Sequence, residues 1–148
     1  AGAAGISMFN RFFQPDIDLD TLSVVDRVQL SSSADTLLAM RLIAILRGST
    51  TLSLAATGGV HTAADALKML LAGADVVHMA SALLKRGPQA LSQVLQGMTD
   101  WLAEREYTSV AQMKGSMSQQ NSPNPSAFAR ASYLHAINSF TPPAGVRY

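Results

Sequence analysis

The stretch TLSLAATGGVHTAADALKMLLAGADVVHMAS, residues 51–81, decides the fold. TLSLAA (51–56) has the length and apolar character of a buried strand, and TGGVH is its exit. Thr62 stands where a helix N-cap belongs, Asp65 follows at capping-box spacing, and Gly73 closes the helix. DVVHMAS (75–81) reads as the next strand. Two strands joined by one helical crossover run parallel, because the helix returns the chain to the same end of the sheet.

Upstream, GISMF (5–9) reads as a further buried strand with Asn10 as its polar tip. Residues 11–32 form a long irregular stretch in which Pro15 and the acids of QPDIDLD exclude a core strand. Leu37, Leu38, Met40, Leu42, Ile43, Ile45 and Leu46 predict a largely buried helix over 34–47. Ser32 and Asp35 have capping spacing at its start, and Gly48 stops it. Downstream, Pro88 opens a helix whose apolar stripe is Leu91, Val94, Leu95, Met98, Trp101 and Leu102, ending near Glu106. The polar segment 114–126 reads as a surface connection to a last helix at 127–139. AGAAGISMF (1–9) is echoed by AGADVVHMA (72–80); two turns alike by composition would give the same echo, but with the alternation it favours successive units of one parallel βα array.

The order strand, helix, strand, helix, strand gives an α/β fold with about three parallel strands and flanking helices. A closed eight-stranded barrel takes about 250 residues. Three parallel strands leave two apolar edges open, so the chain is expected to be the C-terminal part of a larger TIM barrel. Positions 1–148 are then one partial barrel domain, with the last βα units in 1–110 and an extension with a helix in 111–148. Open edges predict aggregation or pairing of two copies, a homodimer.

Composition excludes several functions. The chain has 148 residues, 48% hydrophobic and 14% charged, with a net charge of +1. That balance carries no nucleic-acid footprint, and the apolar content argues against disorder. No apolar run approaches a membrane span of about 18 residues. Cysteine is absent, which removes disulfides, thiolate zinc sites and cysteine nucleophiles. A cytoplasmic location is expected, since AGAAGISMFN also lacks the basic start of a signal peptide.

In a parallel array, ligands bind where the strands end. Gly58 and Gly59 lack Cβ atoms and precede a capped helix, so their amides suit a phosphate; a simple tight turn is the bland alternative. Ala80 and Ser81 end the neighbouring strand with small residues, two more amides and a hydroxyl. Asn10 either caps its own loop or offers its carboxamide to a planar amide-bearing ligand. On this reading Gly59→Val blocks the phosphate with little change in fold. His61, His78 and His135 have no metal-ligand spacing, and His78, alternating with apolar residues, reads as packed. Arg11 either faces solvent or supplies a cation at the rim. Asp16, Asp18 and Asp20 lack the glycine and terminal glutamate of a calcium loop.

GISMFNRFFQPDID, TLSLAATGGVHTAADALKMLLAGADVVHMASALLKRGP and YTSVAQMKGSMSQ, in this order, resemble the C-terminal half of dihydroorotate dehydrogenases. The resemblance implies an FMN-binding (β/α)8 barrel that oxidises dihydroorotate to orotate in pyrimidine synthesis. It implies that Gly58, Gly59, Ala80 and Ser81 hold the FMN phosphate and that Asn10 binds the pyrimidine. Arg11, where the family often has a small hydroxyl residue, and the QPDIDLD insertion depart from the pattern and put the substrate in question. The family's catalytic base and flavin-proximal lysine lie upstream of the matched residues, so the fragment alone is expected to be inactive. Two other classes stay open: a non-catalytic module binding a phosphate ligand, and a phosphate-binding barrel enzyme without flavin.

Overall fold

The structure is a computed structural model that describes residues 2–129 and 132–141. Positions 1, 130, 131 and 142–148, which include parts of the echo, the last helix and the expected extension, lie outside the described residues. So does the side chain of His135.

Three parallel strands carry the fold: β1 (Gly5–Met8), β4 (Ser53–Ala56) and β5 (Val76–Val77), in the spatial order β1-β4-β5. Gly5 pairs with Ser53 and Met8 with Ala56, while Ala55 and Ala56 pair with Val76 and Val77. Spatial order follows chain order, as in an arc of barrel. The central strand is the best covered, with Leu54 and Ala56 fully buried. The repeated alanine-glycine turns lead into β1 and β5, the strands on either side of β4. The expected strand at 75–81 is shorter than predicted. It pairs on one side only, and past His78, whose N–H donates to Ala56 O at 2.8 Å, the chain leaves the sheet.

The crossovers are α1 (Thr36–Leu46) and α2 (Ala63–Ala72). In α2 the predicted signals all operate. Thr62 Oγ1 accepts from Asp65 N at 3.2 Å, and the Gly73 N–H closes the helix on Met69 O and Leu70 O. A 3-10 turn, Ser33–Asp35, leads into α1, and Asp35 Oδ2 accepts from Ser32 N at 2.7 Å. The largely buried helix expected here is amphipathic instead: Ala39, Ile43 and Ala44 face the core, whereas Leu37 and Leu38 are exposed. Leu38, beside Ala39, lines the opening at the strand ends, so part of the apolar pattern lies outside the core.

After β5 come a short helix that the sequence did not announce, α3 (Ser81–Arg86), and the long α4 (Gln89–Glu104). Ala90 and Val94 of α4 are buried, but Leu91 and Leu95 are 45% and 53% exposed. Periodicity marks an apolar face without saying how much of it a neighbour covers. The main core joins Met8, Ile43, Leu54, Ala56, Met69 and Val94 between sheet and helices. A second cluster places Leu67, Leu70 and Met113 against Trp101, Leu102 and Tyr107.

Two expectations fail outside the sheet. The stretch 11–32 contains an antiparallel hairpin, β2 (Pro15–Asp18) and β3 (Ser23–Asp26), whose turn is held by Asp18 Oδ1 accepting from Asp20 N and Thr21 N. It lies apart from the core sheet, so its acids meet water. The segment 114–126 is not a mere surface connection. After α5 (Val110–Met113), the N–H groups of Gly115, Met117 and Gln119 donate to Leu70 O, Leu71 O and Ala44 O. These are carbonyls in the last turns of α1 and α2; Leu71 O and Ala44 O would otherwise be without a partner, and Leu70 O gains a second donor beside Gly73. Ser118 and Ser122, within the segment, are buried. A last helix, α6 (Ser132–Asn138), follows. No described helix is long and apolar enough to cross a membrane.

Candidate functional site

The C-terminal ends of the three core strands open on one cleft of about 300 Å³. β1 delivers Asn10 and Arg11, β4 delivers Thr57, Gly58 and Gly59, and β5 delivers His78, Ala80 and Ser81. All five residues predicted to bind ligand therefore line a common space. His78 is exposed there and not packed as expected, because the sheet has ended and its side chain faces the opening.

The two glycines are needed for different reasons. Both take a positive φ, +89° at Gly58 and +80° at Gly59, which side chains other than glycine rarely adopt. A Cβ on Gly59 would lie 2.6 Å from Thr36 N and 2.8 Å from Ser32 O, so this residue lets the loop pack against the start of α1. A Cβ on Gly58 would meet only Phe9 O, at 3.9 Å, and the space before it is open. Gly59→Val is therefore expected to disturb the fold, contrary to the sequence reading.

Ser31 is the residue that sequence reasoning missed. It is 5% exposed and lines the cleft between the two predicted turns. Its Oγ accepts from Gly59 N at 3.2 Å and lies 3.2 Å from His61 Nε2. Its N–H donates to Ser81 Oγ at 3.1 Å, and its carbonyl accepts from Lys85 Nζ at 2.8 Å. Only the polar run LSSS before a helix start hints at such a residue. Among the described residues, the N–H groups of Gly58 and Ala80 meet no acceptor.

Carboxylates hold the frame around this space. Asp65 is buried and accepts from Ser33 Oγ at 2.7 Å, His61 N at 3.0 Å and Thr62 N at 2.9 Å. Burial pushes its carboxyl up, but the Ser33 hydroxyl and the two N–H groups outweigh that and hold it below the usual range. Asp35, at the cleft wall, is lowered chiefly by the Ser32 N–H, with Arg11 and His61 adding attraction. In both carboxylates Oδ2 is held by donors that fix the starts of α1 and α2. Gly58 and Ala80, whose N–H groups have no acceptor among the described residues, thus line the cleft on a braced wall, an arrangement that suits an anion.

Comparison with known proteins gives this geometry a family. The dihydroorotate dehydrogenase family model matches residues 2–102. The catalytic subunit of a dihydroorotate dehydrogenase B (NAD(+)) from Trichlorobacter lovleyi is 31% identical over 120 residues, which are 79% of this chain and 39% of that protein. A dihydroorotate dehydrogenase A (fumarate) from Lactiplantibacillus plantarum is 34% identical over 112 residues, 74% of this chain and 36% of the relative. The chain thus spans well under half the length of these curated relatives. The crystal structure of a dihydroorotate dehydrogenase from Eimeria tenella in complex with ferulenol superposes with a TM-score of 0.61 at 21% identity. That match covers 76% of this chain and 30% of the other, and it identifies the fold as part of a TIM barrel. On the family match and the curated identities together, this chain belongs to the dihydroorotate dehydrogenase family.

Proposed function

We propose that this chain forms the phosphate-holding part of an FMN-dependent oxidoreductase of the dihydroorotate dehydrogenase type, converting dihydroorotate to orotate. One observation carries the reading: two turns from successive βα units line the same cleft with residues, Gly58 and Ala80, whose N–H groups have no acceptor among the described residues. A phosphate dianion gains there from fixed donors that need no reorganisation. Gly58 leaves open space where a Cβ would stand, so an anion approaches its backbone closely. Ser81 adds a hydroxyl that already accepts from Ser31 and retains its proton for donation. The residues present therefore fit the phosphate end of FMN.

FMN, when bound, supplies the two-electron acceptance that the amino-acid side chains lack. The chain's own residues bind and orient. Asn10, exposed at the end of β1 on the same cleft, offers a donor and an acceptor to one edge of a pyrimidine. No residue here is assigned the removal of a proton from substrate. A cleft of about 300 Å³ is at the lower end of small-molecule sites, sized for one end of a nucleotide.

The test is flavin retention. Protein mixed with FMN and passed through a desalting column is expected to keep the yellow chromophore. A colourless protein that still binds inorganic phosphate would favour a flavin-free phosphate site, and one that binds neither would end the reading.

A further inference from the structure

We propose that Ser31 is a positioning residue that clamps the Gly58-Gly59 loop to the Ala80-Ser81 turn and decides which loop amide meets the anion. The two turns belong to different βα units, and among the described residues no hydrogen bond joins them directly. Ser31 bonds both. Its hydroxyl oxygen takes the Gly59 N–H, and its own N–H goes to Ser81 Oγ. The Lys85 ammonium on the Ser31 carbonyl ties the same residue to α3, and Arg86 of that helix donates to the carbonyl of His61. At 5% exposure this is a buried clamp, where a lost partner leaves a donor unsatisfied.

The consequence concerns the donor set. With its N–H committed to Ser31, Gly59 is the structural glycine of the pair. Gly58 is the donor. The anion is then met by the N–H groups of Gly58 and Ala80 and by the Ser81 hydroxyl. His61 completes the clamp: its Nε2 lies 3.2 Å from the Ser31 hydroxyl, whose oxygen keeps a lone pair for the Gly59 N–H in either tautomer. The clamp stands on geometry alone, whereas its service to FMN rests on the reading above.

Amide exchange and ligand titration separate the two. In the ligand-free chain, the Gly59 amide is expected to exchange at least about tenfold more slowly than that of Gly58, a difference Ser31→Ala abolishes. Equal rates in the unaltered protein would overturn the clamp whether or not flavin binds. Ser31→Ala is expected to weaken FMN binding about tenfold, the loss of one buried hydrogen bond, while Ser31→Thr, keeping the hydroxyl, restores it to within about threefold. Unchanged FMN affinity in a folded Ser31→Ala protein also overturns the proposal. If the unaltered chain binds no FMN, the flavin reading fails by itself. The same comparison is then made with inorganic phosphate, and equal phosphate affinity in both proteins sinks the clamp's role in anion binding.

Discussion

At the N-terminal end of the strands, Asp75 accepts from Arg47 Nη1 at 3.0 Å, Lys114 Nζ at 2.7 Å and Leu54 N at 2.9 Å. At the C-terminal end, the N–H groups of Gly58 and Ala80 have no acceptor among the described residues. The first end is closed. Its carboxylate takes three donors, and the segment 115–119 supplies N–H groups to the helix-end carbonyls of Leu70, Leu71 and Ala44. The second end keeps donors in reserve, on loops braced by Asp65 and Ser31 behind them. One sheet thus has two unlike ends, with satisfied polar groups at the base and an open cleft at the rim, the end where βα barrels in general bind ligands.

Substitutions break this comparison in graded steps. Gly59→Val is expected to cost the most, roughly 3 kcal/mol or more, because its Cβ would overlap the backbone of Ser32 and Thr36 at a positive φ. Urea unfolding should show it as a lower midpoint or a chain that never folds. Asp75→Asn should cost about 2 kcal/mol by leaving two cations poorly matched, discounted for the quarter of the side chain that reaches water. Burial raises the Asp75 carboxyl, but Lys114, the Leu54 N–H and Arg47 together hold it below the usual value of 3.8. Its contribution is therefore complete above that pH and is lost as pH falls through the lowered folded value. Urea midpoints taken from neutral to strongly acid pH should fall less steeply in Asp75→Asn than in the unaltered protein.

Gly58→Ala sharpens the contrast from the other side. Its new methyl finds open space, so only the positive φ opposes it, at about 1 kcal/mol. The methyl nevertheless enters the path of the anion. FMN titration should therefore show a larger proportional loss than the unfolding curve. Equal stability costs at Gly58 and Gly59 would contradict the division of roles between them.

What the sequence made legible was local. Thr62, Asp65 and Gly73 act within one helix, and GISMF and TLSLAA are short runs whose pattern alone places them in a sheet. The five candidate residues line one cleft because strand ends in a parallel array share a face. Ser31 escaped because its partners, Gly59 and Ser81, lie 28 and 50 residues away, and no spacing rule reaches across that distance. The segment 114–126 was misread for a related reason. Its backbone donates to helix ends far upstream, so a polar composition conceals a buried path. Leu91 and Leu95 show the converse, since an apolar face was correctly periodic yet is covered only in part.

Asn10 offers the smallest stability effect and the finest test of the rim. It is exposed, and its side chain bonds to nothing among the described residues, so Asn10→Ala should change stability by less than about 0.5 kcal/mol. Its loop runs on from Phe9, whose N–H donates to Thr57 O beside Gly58, but its carboxamide is no part of the clamp around Ser31. FMN retention should therefore survive the substitution. Orotate, added to the flavin-loaded protein and followed by the change it induces in the flavin absorption band, should bind more weakly. The base would then be untouched, the phosphate end intact, and only pyrimidine recognition impaired. Loss of flavin with orotate binding preserved would reverse the assignment and make Asn10 part of the anion site.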